Sequence, residues 1–223
     1  MNKKYFFVFF LLALFSFSPH KIFATTENSP DKVQFLLWAE KDAYPGKFYE
    51  GSVERIKKTS VFLLEGAVYG WNFEYVPYDK TRNVQEIFDF SPVRAFSKNE
   101  KDSIQYNNAA EKDSRLYCRV EFLRNQPQME IFNSYRSLSN PKIRGKGNAP
   151  LEHGFEGIQE ACANAMKNAV REFWRSKIKN KPAEISGRLL LCAPPIIGVD
   201  SGQYTVTLDF FMETNKIIDY RMF

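Results

Sequence analysis

Residues 69–78 read Tyr-Gly-Trp-Asn-Phe-Glu-Tyr-Val-Pro-Tyr and place an aromatic side chain at every second position from Tyr69 to Tyr75. Side chains of a β-strand alternate between two faces, so these four rings would leave one face of a sheet. The other face would carry Asn72 and Glu74, whose burial without partners costs a few kcal/mol. Burying the rings gains roughly 1.5–3 kcal/mol each. The pattern therefore predicts a strand whose aromatic face is core, rather than an exposed stacking platform for a sugar or base.

Two segments have the spacing of amphipathic helices, with apolar residues recurring every three to four positions. Residues 52–68 form the first segment and lead directly into the aromatic strand. Residues 157–177 form the second, and three alanines in its apolar stripe favour a helix that lies flat on a sheet. A short helix is also predicted within residues 29–40, because a Ser-Pro pair at the start of a segment is typical of a helix N-terminus.

Two hairpins are predicted from alternating and turn-forming residues. Residues 115–124 alternate between apolar and polar side chains, which predicts a strand with one buried face. A turn at residues 125–128 and a returning strand at 129–136 would complete the first hairpin. Residues 204–223 predict the second hairpin, with its turn at the polar residues 213–216.

The arrangement of these elements predicts the fold class. Residues 188–193 predict a further buried strand, and the polar stretches 97–114 and 136–152 are predicted loops. Strands joined by tight turns, with helices in separate blocks, favour an α+β fold. We therefore predict a single domain over residues 25–223, with an antiparallel sheet of five to seven strands and two or three helices packed on one face.

The N-terminus has the order of a secretory signal peptide: a charged start, an apolar run at residues 5–17 and a small residue, Ala24, for cleavage. The apolar run is shorter than the roughly 20 residues that a spanning helix needs. We therefore predict removal of residues 1–24 and no stable membrane span in the remaining chain. The predicted location is the periplasm or the medium, and the lack of an Asn-x-Ser/Thr sequon favours a bacterial envelope.

Net charge argues against a nucleic-acid partner. The formal charge of +5 falls to +2 once Lys3, Lys4 and Lys21 leave with the predicted signal peptide. A nucleic-acid-binding domain needs a strongly basic, clustered surface, and this balance does not supply one.

Three cysteines, Cys118, Cys162 and Cys192, remain in the predicted mature chain. An odd number allows at most one disulfide within the chain, in a compartment where disulfides form. We interpret all three as small buried apolar residues.

Two motifs have the residue types of catalytic sites but lack the rest of the pattern. His153 is the only histidine of the mature chain, and no tight cluster of acids or cysteines accompanies it as metal ligands. Asp200-Ser201-Gly202 follows apolar residues, as in the active-site turn of aspartic proteases, but Asp and Gly are also ordinary turn residues. We interpret these segments as a helix start and a turn, and we predict no catalytic residue, metal or cofactor.

A weak ligand site is predicted just after the aromatic strand. Tyr78, Lys80 and Arg82 follow Pro77 in a predicted loop, where one ring and two cations suit an anionic glycan or peptide. The leading hypothesis is a non-catalytic exported protein that binds or scaffolds other envelope components, with an envelope protein or glycan as partner. The alternatives are an envelope hydrolase with carboxylates brought together by the fold, and a small-ligand carrier with an apolar cavity between sheet and helices.

Overall fold

The computed structural model describes residues 29–41, 50–137, 139–178 and 180–220. The predicted signal peptide and the last three residues of the predicted second hairpin lie outside these ranges. Within them the elements, in chain order, are β1 (Lys32–Glu40), α1 (Glu50–Val68), β2 (Trp71–Val76), β3 (Ile87–Pro92), α2 (Lys98–Asp102), β4 (Gln105–Lys112), β5 (Arg115–Leu123), α3 (Gln126–Tyr135), β6 (Lys142–Pro150), α4 (Gly154–Arg175), β7 (Glu184–Leu191), β8 (Ile196–Asp200) and β9 (Gln203–Ile218). No helix in the described ranges is long and apolar enough to cross a membrane.

The strands form two antiparallel sheets. The larger sheet has six strands in the order β3-β2-β7-β9-β6, with β8 also paired to β9. The smaller sheet has the order β1-β5-β4. The predicted α+β class with an antiparallel sheet is therefore confirmed.

Helices cover both faces of the larger sheet. Helix α1 contacts β7 on one side and β1 and β5 on the other, so it is sandwiched between the two sheets. Helix α4 lies beside α1 and contacts β6 and β9. These two long helices occupy one face, as predicted, while α3 packs on the opposite face through a small cluster that includes Phe132 and Phe211.

The aromatic face of β2 is core. Trp71, Phe73 and Tyr75 are at most 3% exposed, and they lie on the face of the larger sheet that the long helices cover. Tyr69 is also buried, but it follows the last turn of α1 and precedes the strand. The prediction that the rings face inward is confirmed, with a strand that begins two residues later than the aromatic pattern does.

Three predicted elements are wrong because long-range pairing overrides local signals. Residues 32–40 form β1 rather than a helix, since they pair with β5 along their whole length. Residues 129–135 of the predicted hairpin strand 129–136 belong to α3, because Asn125 and Gln128 form a capping box that starts a helix. Residues 213–216 do not turn, because β9 continues through them as one strand of 16 residues.

Both predicted loops also contain regular structure. A capping box between Ser97 and Glu100 starts α2, and β4 follows it with every residue exposed. The second predicted loop contains β6, whose glycines are typical of loops and led to the loop prediction. Pairing with β5 and with β9, respectively, holds these two strands in place.

The contact between α4 and β6 explains the glycines. A Cβ added at Gly147 would lie 2.2 Å from the backbone oxygen of Ala161, and one added at Gly145 would lie 2.0 Å from that of Ala165. The helix backbone therefore rests directly on the strand, as the alanine stripe predicted. Asn164 and Asn168 of the helix donate to backbone carbonyls of β6 at 3.0 and 2.8 Å.

The three cysteines are all buried thiols. Complete burial raises the pKa of Cys162 to about 12, so this thiol stays protonated at neutral pH. The interpretation of the cysteines as small buried apolar residues is confirmed.

Candidate ligand cavity

A cavity of about 670 Å³ lies between the end of β2, the last turns of α4 and the start of β7. We call it the hairpin cavity, because one of its walls is the connection between β2 and β3. Its lining residues are Tyr75, Pro77, Tyr78, Gln85, Glu86, Arg171, Trp174, Arg175, Ile178, Lys181, Pro182 and Ile185. Its volume lies within the range of roughly 300–1,000 Å³ that is usual for small-molecule sites.

The floor of the hairpin cavity is apolar carbon with one internally paired polar group. Ile185 and Pro182 are buried, and the Tyr75 ring lies beside them. Tyr75 Oη donates to Glu86 Oε1 at 2.9 Å, and burial together with this carboxylate raises the pKa of Tyr75. Arg171 Nη1 lies 3.6 Å from Glu86 Oε2. The carboxylate of Glu86 therefore already has two protein partners.

The helix wall is formed by Trp174 and Ile178, both partly buried. The Trp174 ring packs edge-on against Phe173, with centroids 5.1 Å apart. Its indole N–H is covered by protein and has no hydrogen-bond partner in the described part of the chain. Because this N–H is covered, the indole offers the cavity its carbon surface rather than a donor.

The mouth of the hairpin cavity carries positive charge. The side chain of Arg175 is 76% exposed and lies 3.5 Å from Glu172. Lys181 Nζ donates to the backbone oxygen of Tyr78 at 2.7 Å and lies 5.8 Å from the centroid of the Tyr78 ring. These contacts place a ring and two cations around one opening.

The residues of the predicted weak site are separated by the fold. Tyr78 is 48% exposed and lines the hairpin cavity, whereas Lys80 and Arg82 are not among its lining residues. Arg82 instead contacts the Asp79 carboxylate at 2.5 Å and lies 4.2 Å from the centroid of the Tyr220 ring. A ligand role for all three stays a prediction.

Sequence reasoning missed the residues that accompany Tyr78. Trp174, Arg175 and Lys181 come from the end of α4 and the segment after it, about 100 positions further along the chain. Trp174 and Arg175 lie in the Phe-Trp-Arg run that ends the helix, and such a run is also ordinary for an amphipathic helix. Lys181 had no sequence signal of its own.

The other motifs from the sequence lie outside the hairpin cavity. His153 Nδ1 lies 3.0 Å from Glu160 Oε2 at the start of α4, and its side chain is about half exposed at 46%. Asp200 accepts from the Ser201 hydroxyl at 3.0 Å in the turn between β8 and β9. Ser201 and Gly202 both have positive φ, as in a two-residue hairpin, so the turn interpretation is confirmed. No group of three metal-ligating side chains occurs in the described ranges.

A protein-family model matches residues 17–220 of the chain. The chain belongs to this family. A protein of Treponema pallidum (strain Nichols), described as an uncharacterized protein, is 25% identical over 198 residues, which cover 86% of this chain and 83% of that protein. No solved structure matches the chain. Every lining residue of the hairpin cavity falls within the range that the family model matches.

Proposed function

We propose that this protein is an exported, non-catalytic binding protein that holds a small ligand in the hairpin cavity. The observation that carries the proposal is the cavity itself, with its buried apolar floor and a mouth that carries Arg175 and Lys181. Among the functions weighed from the sequence, a carrier was the one expected to have an apolar cavity between sheet and helices. Export rests on the signal-peptide pattern of residues 1–24.

The arrangement of the acids favours binding over hydrolysis. A hydrolase of the type considered would place two carboxylates in a pocket near His153 or Asp200. In the hairpin cavity the lining acid is Glu86, which Tyr75 and Arg171 already engage. Such a carboxylate supports the wall of a site rather than acting as a base on a substrate.

A titration with 1-anilinonaphthalene-8-sulfonate tests the proposal, because this probe combines apolar rings with one negative charge. We expect saturable binding of one probe to protein purified after expression of the full chain, and weaker binding by at least fivefold in Ile178→Phe. The matched control is Ile196→Phe, the same change at a side chain that is 51% exposed and outside the cavity.

Two results would contradict the proposal. One is the lack of saturable probe binding by folded protein, with folding verified by a cooperative unfolding transition. The other is equal binding by the Ile178 and Ile196 variants. The mass of the exported protein separately tests export, because cleavage after Ala24 predicts a chain that begins at Thr25.

A further inference from the structure

The polar groups of the hairpin cavity divide into a paired set inside and a less compensated set at the mouth. Inside, Tyr75 and Arg171 both contact Glu86. A ligand hydroxyl or amide at this depth would meet mainly the carbon of Ile185 and Pro182, and an unpaired buried polar group costs about 1–3 kcal/mol. The floor therefore selects an apolar ligand group.

The charges at the mouth favour an anionic group rather than an apolar one. Lys181 donates to a neutral carbonyl, so its charge has no counter-ion in salt-bridge contact within the described ranges. Arg175 has Glu172 as its partner, but this pair is well exposed and of the kind that contributes roughly 0–1 kcal/mol. An anionic group at the mouth would gain a partner at Lys181 and a second at Arg175.

The hydrogen-bonding groups near the aromatic rings do not suit a sugar. The Lys181 ammonium lies 5.8 Å from the centroid of the Tyr78 ring and already donates to a backbone carbonyl. Trp174 packs against Phe173 and has its N–H covered. A sugar needs several hydrogen-bonding groups at its site, whereas the floor of this cavity is mainly carbon and its Tyr75 and Glu86 already pair with each other.

We propose that the hairpin cavity binds a straight-chain amphiphilic anion, with the hydrocarbon chain on the floor and the anionic head between Lys181 and Arg175. This inference rests on the proposed function and specifies its ligand class. The shared chemistry is one acyl or alkyl chain with a carboxylate or phosphate head, as in a fatty acid or a phosphorylated single-chain lipid.

Displacement of 1-anilinonaphthalene-8-sulfonate by defined amphiphiles, each below its critical micelle concentration, tests the chain requirement. We expect octanoate, decanoate and dodecanoate to bind with increasing affinity, by up to about fifteenfold for each two methylenes while the cavity fills. An affinity that does not depend on chain length would overturn the proposal.

Comparison of decanoate with 1-decanol tests the head group. We expect the alcohol to bind roughly tenfold more weakly, because it lacks the charge-assisted contact. Lys181→Glu should weaken decanoate by about tenfold and leave 1-decanol unchanged. The matched control is Lys216→Glu, the same charge change on an exposed lysine of β9 that does not line the cavity, measured at 0.15 M salt so that distant charges are screened.

The outcomes separate this inference from the proposed function. Equal effects of the Lys181 and Lys216 variants, or equal affinity for decanoate and 1-decanol, would overturn the anionic head group. If the probe binds at the Ile178-sensitive site but no amphiphile displaces it, the ligand class is wrong and the proposed function stands. Stronger binding of dodecanoate than of dodecyl phosphate assigns a fatty acid, and the reverse order assigns a phosphorylated lipid; both support the proposal.

Discussion

The two ends of helix α4 pack against the larger sheet in different ways. From Ala161 to Ala169, small residues of the helix face the glycines of β6, and the two backbones are too close for a methyl group to fit between them. At its last two turns, Arg171, Trp174 and Arg175 point toward the start of β7 and the β2–β3 connection, and a cavity remains between them. Side-chain size along one helix therefore sets both where the helix packs tightly on the sheet and where a cavity remains.

The largest effect is expected at the tight end. Gly147→Ala places a Cβ about 2.2 Å from a backbone oxygen of α4, so helix and strand must separate. We expect a loss of about 3 kcal/mol in the free energy of unfolding, measured by urea denaturation. The control is Gly198→Ala in β8, where the nearest atom would be the Thr205 hydroxyl at 3.2 Å. Equal losses for the two variants would show that the packing of α4 on β6 does not depend on the absence of a side chain at Gly147.

A smaller loss is expected at the cavity end. Trp174→Ala removes a partly buried ring that borders empty space, so it should cost about 2 kcal/mol, below the 3–5 kcal/mol of a fully packed tryptophan. Urea denaturation measures the loss, and the titration with 1-anilinonaphthalene-8-sulfonate should show weaker binding. A loss of full core size would mean that this end of α4 is packed as tightly as the other.

The hydrogen bonds from α4 to β6 contribute less than the backbone contact. Asn168→Ala removes a donor 2.8 Å from the Lys146 carbonyl at an edge strand, where water replaces it. We expect a loss of about 0.5–1 kcal/mol in the free energy of unfolding. Lys167→Ala, a change at the neighbouring helical position without a recorded hydrogen bond, is the control and should lie within about 0.5 kcal/mol of the parent. A cost above that of Gly147→Ala would reverse the order of the two contributions.

The smallest effect on stability is expected where the cavity can accept volume. Ile178→Phe enlarges a side chain on the cavity wall, so the free energy of unfolding should change by less than about 0.5 kcal/mol while probe binding falls. Ala165→Val, an enlargement at the tight end, should cost about 2 kcal/mol in the same urea denaturation. Similar costs for the two variants would remove the contrast between the two ends.

Periodicity was sufficient for the elements that bury one face. Helices α1 and α4 and strands β2 and β5 were predicted because their apolar residues recur at 3.6 or 2 positions, whereas β7 was predicted in part from a continuous apolar run at residues 188–193. The same signal was absent where a strand is exposed throughout, as in β4, or where its inward positions are glycines, as in β6. In both cases the strand exists because a neighbour pairs with it.

Local sequence signals gave wrong predictions for β1 and for residues 213–216 of β9. Ser29 and Pro30 resemble a helix start, yet Val33, Phe35 and Leu37 alternate with exposed positions and are buried against α1 and β5. Polar residues at 213–216 resemble a turn, yet they continue β9 alongside β7 with one irregularity in the register. Partner strands distant in the chain decided both cases.

The candidate site shows the same limit. Tyr78 was selected as a candidate from its position after the aromatic strand, while Lys181 lies 103 positions away and meets it only through the fold. No local pattern can report a distance between residues so far apart in the chain.

Side-chain periodicity within single segments was enough to predict the α+β class, the buried aromatic face of β2 and the small-residue stripe of α4. Only the fold shows that β4, β6 and residues 213–216 of β9 belong to strands, and that the Tyr78 ring of the β2–β3 connection meets Lys181 from the segment after α4. Those features depend on pairing and packing between distant segments, which the local order of residues does not encode.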